Sequence, residues 1–268
     1  MSLALEMAGF GAVPEDSGVH VPGSGIRRVL FGVDVGAAEL QLARQLGMDL
    51  VLAHHPPGVT PDEWKVYLRH VEFMTAAGVP EEAARAAVAD RVEAYQLRGQ
   101  IANFDHTPSV ARLLEMPYMN IHAPLDEIGR RRMHDAVAPV LARPGATVED
   151  VAAALGALPE MRAAPTQVQI LHGRGSNPAR RVVIAHGALT NGGYAVARAC
   201  FEHGVDVVVY IHIDVGELQR LKADGRGNLI VTGHLAGDSV GFTPFLAALR
   251  ARGLEVTTFS GVIEPPVP

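Results

Sequence analysis

The chain is short of several things, and each shortage excludes a class of explanation. Among its 268 residues there is one cysteine, Cys200, so no internal disulfide can form, and the composition suits a reducing compartment. A lone cysteine of this kind reads as a small apolar residue on a buried helix face rather than as a nucleophile. No apolar run is long enough to span a bilayer, and the opening Met1-Ser2-Leu3-Ala4-Leu5-Glu6 has no basic n-region. The expectation is a cytoplasmic protein with no membrane partner. Net charge is −6 and there is no polybasic run, so nucleic acid is not an expected partner. Neither a Walker phosphate loop nor a dinucleotide-binding glycine fingerprint is present.

What is present is histidine, twelve residues in all, and its placement is informative. The stretch Asp49-Leu50-Val51-Leu52-Ala53-His54-His55-Pro56-Pro57 reads as a buried strand that must stop at its prolines. Two imidazoles therefore sit at the carboxyl end of a strand, where open α/β sheets bind ligands. Upstream, residues 27–34 predict a strand and residues 37–47 a helix closed by Gly47, which makes a βαβ unit with a parallel pair. Residues 61–118 read as mostly helical, with breaks at Gly78-Val79-Pro80 and Thr107-Pro108, and Thr147 to Asp150 reads as a capping box.

The second half repeats the first. Arg180-Arg181-Val182-Val183-Ile184 resembles Arg27-Arg28-Val29-Leu30-Phe31, and residues 206–212 line up with 49–55, setting His212 against His55. His122-Ala-Pro-Leu-Asp126-Glu-Ile-Gly129 and His234-Leu-Ala-Gly-Asp238-Ser-Val-Gly241 share the pattern His-x-x-x-Asp-x-(Ile/Val)-Gly. No other histidine of the twelve has an aspartate four residues on. The repetition predicts an internal duplication. The expected fold is α/β: two related α/β domains with a metal cleft between them. The first would span 1–160 with a helical extension over 61–118, and the second 161–268.

His and Asp four residues apart share one helix face and can offer nitrogen and oxygen to one centre. His54, His55, His122, Asp126, His234 and Asp238 together exceed the three protein ligands that one catalytic zinc needs. The surplus points to two divalent transition ions, with Zn, Fe, Mn, Co and Ni all compatible with such donors. The triple Arg130-Arg131-Arg132 reads as a solvated helix face, with Arg130 and Arg131 as candidates for holding an anionic substrate.

These motifs resemble those of the Nif-three-like dinuclear metal-centre family, often labelled type-two GTP cyclohydrolase homologues. The resemblance runs from about Arg27 to Pro265 and is strongest over residues 49–56, 122–126 and 233–238. It implies metal ligation by His54, His55, Asp126, His234 and Asp238. His122 and His212 match histidines of the other half by internal symmetry and are expected beside the metals as proton-handling, catalytic residues. The resemblance also implies a ring-shaped homohexamer. The chain departs from the family's usual pattern in carrying Asp238 in place of glutamate, and Ala123 and Pro124 in place of threonine and asparagine. The implied activity is that of a metal-dependent hydrolase of a small molecule, such as a nucleotide or a phosphorylated compound. The alternative is a non-enzymatic protein that binds or delivers metal or regulates a partner.

Overall fold

A computed structural model describes residues 1–266 and arranges them as two sheets with helices between and outside them. The chain opens with α1 (Ser2–Ala8), β1 (Gly18–Val21), β2 (Arg28–Gly32), α2 (Ala37–Gln45) and β3 (Leu50–Ala53). Four helices follow: α3 (Trp64–Tyr67), α4 (Arg69–Ala76), α5 (Glu81–Ile101) and α6 (His106–Leu113). Next come β4 (Tyr118–Asn120), α7 (Ala123–Leu141), α8 (Val148–Gly156) and α9 (Pro159–Ala163). The remainder is β5 (Gln169–His172), β6 (Val182–Ile184), α10 (Gly193–Glu202), β7 (Val207–Tyr210), α11 (Val215–Asp224), β8 (Asn228–Val231), α12 (His234–Arg250) and β9 (Glu255–Phe259). Among the described residues, no helix is long and apolar enough to cross a membrane.

Local chemistry sets the element boundaries. After α2, Gly47 takes φ 67°, the left-handed conformation that ends a helix without a Cβ penalty. The Thr147 hydroxyl accepts from the Asp150 N–H while Asp150 Oδ2 accepts from the Thr147 N–H, a reciprocal cap on α8.

The duplication is visible in the topology. One sheet runs β1-β4-β3-β2-β9 and the other β5-β8-β7-β6, the same order with one strand added. In each sheet the first pair is antiparallel and carries a register shift, and the next strands are parallel. The halves also share an anchor. Asp49 Oδ2 accepts from the N–H groups of Arg27 and Arg28 at 2.9 and 2.8 Å. Asp206 Oδ2 accepts from those of Arg180 and Arg181 at 2.9 and 3.0 Å. A carboxylate that takes two backbone donors fixes the register of adjacent parallel strands.

Sheet membership does not follow chain order. β9 pairs in parallel with β2, from Arg28 opposite Glu255 to Gly32 opposite Phe259. Gly32 is glycine because a Cβ there would stand 2.3 Å from the Phe259 ring. The helical extension crosses over too: Tyr67, Met74 and Val88 pack with Cys200 of α10 and with Val208 and Tyr210 of the second sheet. Cys200 is the buried apolar residue expected, with its thiol pushed up to about 12 by burial. One strand from beyond residue 160 thus joins the first sheet, and helices from before it pack against the second.

α7 and α12 lie between the two sheets. Their Leu125, Ile128, Phe242 and Phe245 pack with Phe31 and Leu52 of the first sheet. Met133, Val137 and Val240 pack with Val209 and Ile230 of the second. Residues 121–129 are buried on every face, as a helix between two layers must be. Both His-x-x-x-Asp motifs stand at the amino ends of this central pair.

Candidate metal centre

The backbone carries the His54-His55 pair beyond β3 under control. The His54 N–H donates to the Gly32 carbonyl at 2.9 Å and the His55 N–H to that of Val33 at 3.0 Å. The chain turns there, and both rings enter one cleft, with centroids 5.0 Å apart. From β4, the Ile121 N–H donates to the Ala53 carbonyl, and His122 follows as the residue before α7. Asp126 lies one turn further on. From β8, Gly233 at φ 94° swings the chain into α12, which begins at His234 and presents Asp238 one turn later. Three strand ends thus converge from two sheets.

The resulting cleft has a volume of about 430 Å³. Its wall includes His55, His122, Asp126, His212, His234 and Asp238, and His54 forms its fully buried floor beside them. His54 Nε2 stands 3.1 Å from Asp126 Oδ1 and 3.7 Å from Asp238 Oδ2. His55 Nε2 is 3.9 Å and His234 Nε2 3.2 Å from the same Asp238 oxygen. His122 Nε2 is 3.7 Å from Asp126 Oδ2.

The far side of each ring is already engaged. His54 Nδ1 meets the Ile121 carbonyl at 3.1 Å, His55 Nδ1 meets Asp34 Oδ1 at 2.7 Å and His122 Nδ1 meets the buried Asp16 Oδ2 at 2.8 Å. All three partners only accept, so each Nδ1 carries the hydrogen. In the neutral ring that leaves Nε2 as a lone pair aimed into the cleft. His54 Nε2, Asp126 Oδ1, His186 Nε2 and Asp238 Oδ2 are buried with no hydrogen-bond partner among the described residues. Lone pairs that face one another without a donor are costly unless a cation takes them. Three sets offer donor atoms within 4.8 Å of one another: His54, His55 and His122; His55, His234 and Asp238; and His54, Asp126 and Asp238. These donor sets fit a metal ion.

The electrostatics agree. Burial opposes the ionised Asp126, but the neighbouring His186, His122 and His54 hold its carboxyl far below the usual range. Asp238 is lowered as well: burial again works against it, and the neighbouring His234 and His54 override it. Burial together with His54 and His122 depresses His55 to about 4. Burial would lower His122 too, yet the Asp126 and Asp16 carboxylates push it up to about 10.

His212 is polarised the other way. Asn191 Oδ1 accepts from the Gly193 N–H at 2.9 Å, which turns the Asn191 amide nitrogen towards His212 Nδ1 at 3.0 Å. Nδ1 is then the acceptor, and the neutral ring keeps its hydrogen on Nε2.

Arg130 and Arg131 lie elsewhere. Together with Arg69 they bind the buried Glu127 carboxylate at 2.7–2.8 Å, and they line a separate cavity. Asp126 and Glu127 are adjacent on α7, so their side chains leave it in different directions. The cation on the cleft wall is Arg98 of α5, beside Tyr95 and Glu63, with no carboxylate partner among the described residues. Burial raises the Glu63 carboxyl to about 7.

Sequence reasoning passes over several groups. Asp16 and Asp34 back two histidines from distant loops, and no local spacing announces them. His186 also enters the cleft. Its only sequence mark is that it follows the apolar run Val182–Ala185, much as His54 follows residues 50–53. Conversely, Gly237-Asp238-Ser239-Val240-Gly241 has the Gly-x-Ser-x-Gly spacing of a nucleophile elbow. Ser239 is no such nucleophile, because it is 0% exposed in mid-helix and its hydroxyl oxygen accepts from the Ile263 N–H at 3.0 Å.

Comparison with solved structures supports the architecture. A crystal structure of a NIF3 superfamily protein from Sphaerobacter thermophilus is 50% identical, with a TM-score of 0.95, over 97% of this chain and 96% of that one. Reduced HcgD from Methanocaldococcus jannaschii is 12% identical with a TM-score of 0.57, over 96% and 94% of the two chains. A protein from Thermus thermophilus is 17% identical with a TM-score of 0.52, over 99% and 95%. At those lower identities the likeness is one of fold. No model of a protein family and no curated protein matches the chain.

Proposed function

The chain belongs to the NIF3 superfamily, and from that premise we propose that its cleft holds two divalent transition ions and hydrolyses a small anionic substrate, a nucleotide or a phosphorylated compound. The observation that carries this is the set of four buried, unpartnered donor atoms from His54, Asp126, His186 and Asp238. His54, His55, Asp126, His234 and Asp238 are the proposed ligands. When bound, such ions supply Lewis acidity, which polarises a carbonyl or phosphoryl oxygen and acidifies water.

The chain's own groups supply the rest. His122 Nε2 faces the cleft, and the Asp16 and Asp126 carboxylates keep its ring protonated, so His122 is placed to hand a proton to the substrate and take it back. His212, with hydrogen on Nε2, is placed to donate to an oxygen of the substrate. Arg98 can meet an anionic group on the open side of the cleft, with Tyr95 giving it an aromatic face at 5.5 Å. Arg130 and Arg131, already committed to Glu127, are left out of the substrate's path. The proposal retains a homohexamer and a cytoplasmic location, and light scattering and fractionation test those two parts.

Elemental analysis of the protein purified without added metal or chelator names the ion, and nucleotides and phosphoesters are then screened with it. Asp126→Ala should abolish turnover while leaving the protein folded. Turnover unchanged in that variant would defeat the hydrolase reading.

One observation favours a second reading, metal storage or delivery. The His234 side chain is 40% exposed and that of His55 24%, so one edge of the centre is open to solvent. A delivery protein would surrender its metal readily to a competing chelator, whereas a hydrolase would hold it through turnover.

A further inference from the structure

The metal reading of the cleft leaves one buried group unassigned. His186 is 4% exposed, and its Nε2 has no hydrogen-bond partner among the described residues. That nitrogen lies 3.6 Å from Asp126 Oδ1 and 4.0 Å from Asp238 Oδ1. It therefore faces both carboxylates at once. The other oxygen of Asp238, itself buried, is the one near His54, His55 and His234. The donors divide accordingly. The more exposed His55 and His234 meet at Asp238 Oδ2, and the buried His54 and His186 meet at Asp126 Oδ1.

A structural histidine in such a place would be hydrogen-bonded, because an imidazole buried without partners loses its hydration for nothing. Among the described residues, the carboxylate oxygens that face its Nε2 both stand beyond hydrogen-bond distance.

The loop that carries His186 is held in place from outside. Arg69 donates to the Gly187 carbonyl and also pairs with Glu127. The ring nitrogen Nε2 of His70 donates to the Thr190 carbonyl at 2.8 Å. Both residues belong to α4, in the helical extension. Gly187, at φ 79°, lets the loop come against α7, where a Cβ would stand 3.2 Å from that of Asp126. Leu189 takes φ 68°, a conformation that costs an ordinary side chain energy and persists only where the surroundings enforce it. Such a clamped, strained loop is what positioning one side chain at a ligand requires.

We propose that His186 is a further ligand of the metal centre, binding through Nε2 the divalent transition ion at its buried end together with His54 and Asp126. The assignment rests on the cleft being a metal site. It goes beyond that reading because it makes the two positions unequal and gives the helical extension a task, the fixing of the 186–190 loop.

The test is a titration of the metal-free protein with Co²⁺, read by calorimetry for affinity and stoichiometry and by visible absorption for the ligand field. The wild-type protein should take up about two ions per chain. His186→Ala should bind one of them at least about tenfold more weakly, with a changed absorption band for that ion only. His55→Ala should weaken the other. If His186→Ala binds both ions with wild-type affinity and spectrum, the assignment falls and the metal centre stands. If the wild-type protein binds no Co²⁺, both fall. Thermal melting of the metal-free variants reports folding. Should the alanine variant fail to fold, His186→Gln, closer in volume, is read by the same criteria.

Discussion

Gly129 and Gly241 lie against each other where α7 and α12 cross. A Cβ on Gly129 would stand 3.1 Å from the Gly241 amide nitrogen, and one on Gly241 would stand 2.0 Å from the Leu125 carbonyl oxygen. Each glycine comes three residues after a motif aspartate, on the same helix face. The backbone contact therefore sets how near Asp126 and Asp238 approach. The final glycine of His-x-x-x-Asp-x-(Ile/Val)-Gly is what lets two carboxylates from different halves meet at one centre.

Replacing it should separate them. Gly241→Ala forces α12 away from α7 and should cost about 1–3 kcal/mol of stability or more, as overpacked cores do. Metal affinity should fall with it. Urea unfolding in chelator and metal titration of the same sample measure both. Gly129→Ala, with a longer contact to relieve, should be milder.

Asp16 touches no substrate in the proposal and acts through His122. Asp16→Asn keeps the volume of a residue only 1% exposed but replaces a carboxylate that holds the His122 ring. Loss of such a backing group typically costs about 10–100-fold in activity or metal affinity. We expect a fall in kcat or in metal affinity of that size with the melting temperature little changed. Wild-type values for both would show that His122 needs no support.

Arg98 faces the cleft without a carboxylate partner among the described residues, so its positive charge is free for a ligand. Arg98→Ala should raise KM for an anionic substrate by about tenfold, roughly 1.4 kcal/mol, and leave kcat nearly unchanged. Arg98→Lys should recover part of the loss, and the effect should shrink with added salt. A KM that does not move would place the anion elsewhere.

Glu63 gives a pH dependence with a definite sign. Burial raises its carboxyl from 4.5 to about 7 in the fold, although the Thr60 N–H donates to it at 3.0 Å. Below pH 4.5 both folded and unfolded chains keep the proton, and nothing is lost. As pH rises from there to 7, the unfolded chain ionises first, so stability declines, then levels off. Glu63→Gln removes this decline while keeping an oxygen for Thr60. The variant should gain on the wild type between about pH 5 and 8, by about 3 kcal/mol at most. Urea unfolding of both proteins at the two pH values reads the difference, and parallel profiles would contradict it.

Much of this site can be read from the sequence, and for a local reason. A strand that must end at Pro56 leaves His54 and His55 at its tip, and His122 with Asp126 and His234 with Asp238 share helix faces by spacing alone. Repeats of those patterns reveal the duplication, and Asp49 and Asp206 confirm it atom by atom. Periodicity and i to i+4 spacing describe what one element presents, and they need no knowledge of what it meets. The tertiary structure decided the rest. It set Asp16 and Asp34 behind the histidines, turned His186 into the cleft and Arg130 away towards Glu127, and returned β9 to the first sheet. Each of those depends on two segments distant in the chain reaching the same few ångströms. Packing of the whole chain determines that, and no local pattern carries it.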